Sequence, residues 1–164
     1  MPILSTDIKY YFSGGAGNAN PNASLGGVIS TTETTASLFD DVPSAEATTG
    51  TVEYRCIYVK NTNGTLTLIA PKVFIQTNTP SATTTVAIGL GTAAINATEQ
   101  TVANETTAPS GVTFSEPANF AAGLSIGDLA VGATKSIWIR RTVNAGTAAV
   151  ADSFTIAVQG DSNP

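Results

Sequence analysis

Apolar and polar positions alternate along this chain in short stretches, and none of them sustains a helical stripe. The densest is Val52-Glu-Tyr-Arg-Cys-Ile-Tyr-Val-Lys60, rich in the aromatic and β-branched side chains that suit a pleated, half-buried surface. It predicts a strand. Asn61-Thr-Asn-Gly64 follows, where Asn63-Gly64 offers the positive-φ pair of a tight hairpin, and Thr65-Leu-Thr-Leu68 resumes the alternation. A third strand is expected at Lys72-Val-Phe-Ile-Gln76. Elsewhere, Asp7 to Ser13 places Ile8, Tyr10 and Phe12 on one face, and Thr84 to Gly91 does the same with Val86, Ile88 and Leu90. Val112-Thr-Phe114 predicts a short strand ended by Glu116-Pro117, since proline cannot donate to a ladder. Leu129 is expected to plug the core at a turn ending in Gly132. Lys135 to Val143 then sets Ile137, Ile139 and Arg141 against Trp138, Arg140 and Thr142, with the isoleucines inward and Trp138 partly covered by a loop or a partner. Asp152 to Val158 closes the pattern with Phe154, Ile156 and Val158 inward.

Between these stretches lie turns. Gly14 to Asn22 is turn chemistry throughout, Leu25 to Ser30 allows a short strand or ordered arm, and residues 92–110 predict a loop with little strand. Thr31 to Thr51 carries only Leu38-Phe39 and Val42 as sizeable apolar anchors, which predicts a linker or surface-hugging arm outside the core. About eight short strands without a long helix argue for an all-β fold, an antiparallel β-sandwich with Greek-key topology, Ig-like or jelly-roll-like. The expected division is an N-terminal strand and extended arm over residues 1–50 and a sandwich over 51–164.

Composition narrows the chemistry. Charged residues make up 12% of the 164 positions and hydrophobic ones 42%, against roughly 25% charge in an average soluble domain. Thr, Ala, Asn, Gly and Ser fill the difference, and such short neutral side chains lose little hydration or rotamer entropy on contact with another protein. The net charge of −5 and a pI near 4.4 make nucleic acid and anionic membrane poor partners, because phosphate binding needs clustered cations. Arg140-Arg141 is the one adjacent basic pair, and in a strand its members point to opposite faces.

With no His and one Cys, His-based triads, His zinc sites and thiolate clusters are excluded. Cys56 alternates with Tyr54 and Tyr58 and is expected to be buried and inert. The acidic residues fall mostly in turns rather than facing one another across a cleft, as a glycosidase would need. Asp40-Asp41 lacks the further oxygens a hard cation demands and is expected to be a solvated turn. The Gly14–Gly17 segment lacks the Lys-Ser/Thr of a phosphate loop. No enzyme activity, cofactor or metal is therefore expected. Met1 to Ser5 shows no secretory leader, and the apolar runs fall short of the roughly 20 residues of a membrane span. Expression in a cytoplasm is the expectation.

Three stretches carry a resemblance: Tyr54-Arg-Cys-Ile-Tyr-Val-Lys-Asn-Thr-Asn63, Leu124-Ser-Ile-Gly-Asp-Leu129, and Ile137-Trp-Ile-Arg-Arg-Thr-Val-Asn-Ala-Gly146 with Asp152-Ser-Phe154. Together with Ser13-Gly-Gly-Ala and Asn20-Pro-Asn-Ala-Ser-Leu-Gly-Gly27, they resemble a family of small virion proteins of tailed bacteriophages. The resemblance implies a β-sandwich on the capsid exterior, most like a decoration (cement) protein that binds the major capsid protein lattice and associates with itself as a dimer or trimer. On that footing, Leu25, Leu38 and Phe39 on the arm and Trp138 and Arg140 on the sandwich are the candidate partner contacts. The alternative is a tail or baseplate adhesion module that stacks host-surface carbohydrate on Trp138 and neighbouring tyrosines.

Overall fold

The computed structural model describes residues 2–34, 37–146 and 152–162. It is an all-β sandwich. The larger sheet has the order β1-β3-β8-β5, formed by Ile8–Phe12 (β1), Thr51–Asn61 (β3), Thr134–Val143 (β8) and Thr84–Leu90 (β5). The smaller sheet has the order β7-β4-β9, from Leu124–Ser125 (β7), Leu68–Thr77 (β4) and Thr155–Ser162 (β9). Gly26–Gly27 (β2) and Glu99–Thr101 (β6) form a small ribbon, and Ser44–Thr49 is a short helix, α1. All pairings are antiparallel.

Alternation on β3 and β8 sends Ile57, Val59, Ile137 and Ile139 inward, where they meet Val86 and Ile88 from β5 and Leu68, Val73 and Ile75 from β4. Leu129 sits fully enclosed among them, bridged to Leu68 by paired backbone bonds of 2.9 Å, and Gly132 ends its turn at φ +76°. Ile156 and Val158 face the same core from the smaller sheet, and Phe154 joins them from just ahead of β9.

The expected hairpin after residue 60 does not form. β3 and β4 belong to opposite sheets, and the chain arches between them. The reason lies in two asparagines. Asn61, buried, donates to Leu66 O (2.8 Å) and Leu129 O (2.9 Å), while Asn63 Oδ1 accepts from the Thr65 and Leu66 amides at 3.0 and 2.8 Å. These side-chain bonds stabilise an Asx-type corner, and neither Asn63 nor Gly64 adopts positive φ. Of the strand expected at 65–68 only Leu68 is extended, Thr65 to Thr67 belonging to the corner, and it joins the strand expected at 72–76 in one strand, β4, interrupted by a bulge. Ala70 lies at φ +46° ahead of Pro71, and the register with β9 shifts between Ile69 and Lys72. Proline is tolerated there because a bulge leaves its missing amide unneeded.

Residues 8–34 are folded against the sandwich rather than extended away from it. β1 is an edge strand of the main sheet, and residues 30–34 pair with its outer side through Ser30 N to Phe12 O (2.8 Å) and Thr34 N to Tyr10 O (2.8 Å). Gly26 has φ +95°, and a Cβ there would overlap the Gln100 carbonyl, so only glycine permits the β2–β6 approach. Leu38 and Phe39, expected outside the core, are buried in it at 9% and 8% exposure. Thr35 and Ala36 of the expected arm lie outside the described residues. Residues 112–114, expected as a strand, are loop, and the pairing in that region is the Ile88–Ser115 bridge. Among the described residues no helix is long and apolar enough to cross a membrane.

Candidate functional site

The inner face of β3 and β8 turns from apolar to charged toward one end. Register pairs Ile57 with Ile137, Arg55 with Ile139 and Glu53 with Arg141, so Glu53, Arg55 and Arg141 continue the row of core isoleucines. Their exposures are 1%, 0% and 8%. A charge at such a position must be paired and hydrogen-bonded, and here the pairing is extensive. Arg141 Nε donates to Glu53 Oε2 at 2.6 Å, with Arg141 Nη2 beside the same oxygen, and Arg141 Nη1 donates to the Asp40 carbonyl at 2.7 Å. Arg55 Nη2 donates to Glu105 Oε2 at 2.5 Å and to Asn22 Oδ1 at 3.0 Å, and Nη1 donates to Tyr54 O at 3.2 Å. The Asp40 carboxylate lies 3.7 Å from Arg55 and 3.5 Å from Arg141.

Phe39 closes the cluster from the core side. Its ring takes the Arg141 guanidinium at 4.7 Å and the Arg55 guanidinium at 5.3 Å, and meets Phe154 edge-on at 6.3 Å. Such desolvated cation–π contacts are favourable by up to about 2 kcal/mol each. The segment around Leu38–Asp40 is thus pinned to the sandwich by one aromatic ring and one aspartate. Beside it opens a cleft of about 870 Å³ between the sheets, with Ile57, Val86, Ile139, Phe154 and Ile156 in its walls and Asp41 and Asp152 among its polar groups.

The carboxylates of Asp40, Glu53 and Glu105 lie within 4.8 Å of one another. A divalent cation would need several further oxygens, and the two guanidinium groups already occupy the space such an ion would take. The arrangement is an ionic clamp joining β3, β8 and the loops at residues 22, 40 and 105. Burial pushes the Glu53 carboxyl above its ordinary range, opposed by the charge and hydrogen bonds of Arg141. Asp40, expected in a solvated turn, is half exposed yet tied to both arginines.

The outer face of the same two strands holds a second, smaller core. Cys56 and Trp138, both fully buried, pack with Val102, and Leu25, Tyr54, Val112 and Phe114 cover them. Arg140 lies over the Phe114 ring at 5.3 Å. Burial pushes the Cys56 thiol far above its usual range, consistent with an inert residue. The loop that carries this cover is fixed by Glu99, buried at 3% exposure. Its carboxylate accepts from Ser136 Oγ (2.6 Å), the Ala93 amide (3.1 Å) and Thr92 Oγ1 (3.1 Å). Burial alone would raise its pKa, but these hydrogen bonds outweigh it and hold it below the ordinary glutamate value. Tyr58 completes the node, donating to Gly27 O at 2.6 Å and accepting from the Glu99 amide at 3.0 Å, and burial pushes its phenol up to about 12.

Of the five candidate contacts, Leu25, Trp138 and Arg140 meet on the outer face, and Leu38 and Phe39 meet at the charged end of the inner face. Trp138 is 0% exposed, so its ring offers no platform to a sugar, and Leu38 and Phe39 are spent on the chain's own core. Leu25 and Arg140 remain half-buried. The clamp was missed from sequence, although one signal was present: Glu53 and Arg55 stand at the same alternating positions as Ile57 and Val59. Glu105 and Asn22 gave none, because loop closure alone brings them there.

Comparisons of the chain with models of protein families, with characterised proteins and with solved structures found no match.

Proposed function

We propose that this chain is a structural protein of a tailed-phage virion, a decoration protein that binds the major capsid protein lattice from outside and stabilises the head. One observation carries the reading beyond the sequence resemblance: each of the seven basic side chains is engaged by the chain itself. Lys9 pairs with Glu33 at 2.7 Å, and Arg55 and Arg141 lie in the clamp. Lys60, Lys72 and Arg140 sit over the rings of Tyr11, Phe120 and Phe114, and Lys135 donates to the Gly91 and Ala93 carbonyls. What faces outward is mainly short neutral side chains with scattered apolar ones, Leu4, Val28, Val52, Phe120 and Val131. Such a surface docks on protein at little desolvation cost and offers few free cations to a phosphate backbone.

Because residues 8–34 are folded on the sandwich, binding uses a preformed surface instead of an arm that orders on contact. Many copies on a lattice then make modest single contacts sufficient. The test is reconstitution: purified chain added to capsids lacking it should bind at hundreds of copies per particle, counted by quantitative mass spectrometry, and raise the temperature at which the heads release DNA. Absence of binding, or a handful of copies with unchanged heat resistance, removes the reading.

A further inference from the structure

The two long sides of the sandwich are closed to different degrees. On one side, Ser115 exchanges backbone bonds with Ile88 (2.9 and 3.0 Å) and Pro117 O accepts from Ile75 N (2.7 Å), so one loop stitches β5 to β4. The core residues behind it, Ile75, Val86 and Ile88, are exposed by 3% or less. The opposite side runs between β1 and β9. There Ile3, Ile8, Tyr10, Ile156 and Val158 pack on the core yet stay partly exposed. β1 is covered by residues 30–34, but among the described residues β4 is the only strand that pairs with β9. Among the described residues no other backbone group bonds to the backbone of Thr155–Ser162. The Tyr10 hydroxyl approaches it at Val158, from the β1 side.

An exposed edge of this length is a template for another strand, and natural sheets blunt such edges with lysine, proline, bulges or brevity. β7, the other edge of this sheet, is two residues long. β9 has eight residues, Thr-Ile-Ala-Val-Gln-Gly-Asp-Ser, with neither lysine nor proline, and the extra residues at its register shifts belong to β4. Its single charge is Asp161.

We infer that β9 is a docking edge for a second copy of this chain, with the two β9 strands pairing antiparallel about a two-fold axis to make one continuous six-stranded sheet, β7-β4-β9 from each copy. Charge permits pairing with an identical strand and selects the direction. From Thr155 to Gly160 the strand is neutral, so it meets its own copy without burying a charge. Antiparallel pairing centred on Ala157 sets the two Asp161 carboxylates roughly 26 Å apart at about 3.3 Å per residue, beyond the screening length of about 8 Å at physiological salt. Parallel pairing would stack them about 5 Å apart. The two-fold arrangement also brings Ile156 and Val158 of both copies to the same side of the joined sheet, where they cover the open seam. The inference stands on the edge itself and does not depend on the virion reading.

The experiment is sedimentation of the purified full chain over a wide concentration range, with two kinds of variant. The native chain is expected to dimerise reversibly, with slowed amide exchange over residues 155–161 in the dimer. Ala157→Lys with Gln159→Lys, on the solvent face of β9, places like charges across the dyad and should weaken the dimer by roughly tenfold or more, with the thermal unfolding of the monomer unchanged. Ala157→Cys should form an interchain disulfide under mild oxidation, and Val28→Cys, equally reactive but on an exposed loop elsewhere, should not. A native chain that stays monomeric throughout, a dimer indifferent to the two lysines, or equal cross-linking at positions 157 and 28 overturns the inference.

Discussion

Replacing Arg141 by Met separates the energetics of the clamp from its mere presence. Arg141 holds Glu53, whose side chain is 1% exposed, whereas Arg55 holds Glu105 and Asp40, whose side chains are 33% and 48% exposed. Removing Arg141 strands a buried carboxylate that water cannot reach, a loss of about 3–5 kcal/mol for breaking a buried pair. Removing Arg55 leaves acids that can rehydrate, and the expected loss is about 1–2 kcal/mol. Against a total stability of order 5–15 kcal/mol, the first change is severe and the second tolerable. Denaturant unfolding with linear extrapolation measures both. Glu53→Gln added to Arg141→Met should recover part of the loss by removing the unpaired charge.

The pH dependence supplies an independent sign. Without Arg141, the folded-state pKa of Glu53 rises further above the ordinary 4.5. The folded form then binds the proton more tightly than the unfolded one, so the stability of Arg141→Met increases as pH falls through the folded pKa toward 4.5. Equal losses for Arg55→Met and Arg141→Met, a double variant no better than the single, or an acid-sensitive Arg141→Met would refute this account of the clamp.

Three further outcomes are expected. Glu99 has a folded-state pKa held below 4.5, so its contribution is present above that value and is lost as pH falls through the folded pKa; Glu99→Gln should lower stability at neutral pH by about 1–3 kcal/mol and flatten that acid limb in an unfolding series against pH. Trp138, the single tryptophan and fully buried, should fluoresce at short wavelength and resist iodide quenching until the protein unfolds, and Trp138→Ala should cost about 3–5 kcal/mol in denaturant. The Cys56 thiol should react with a disulfide reagent only at the rate of opening events that expose β3, and a fast reaction in the native state would place it outside the core.

The sequence alone determined where the longer strands of the two main sheets run and which of their faces are apolar, because a period of two ties burial to position with no knowledge of the neighbours. Ile137 and Ile139 inward, Leu129 in the core and Cys56 buried all follow from that local rule. The tertiary structure decided everything that depends on which strand lies next to which. The Asn63-Gly64 signal reads as a hairpin in isolation, yet Asn61 binding the Leu129 carbonyl, 68 residues away, turns it into an arch between sheets. Leu38 and Phe39 look like anchors of a loose arm because an apolar pair among polar residues says only that something covers it, and the cover here is the sandwich's own charged end. Trp138 looks half-covered for the same reason, since the loop that buries it has no periodicity of its own. The clamp shows the limit most clearly. Glu53 and Arg55 share the alternating positions of Ile57 and Val59, but only chain closure could bring Asp40, Glu105 and Asn22 to that end of the core and so give the buried charges of Glu53, Arg55 and Arg141 their partners.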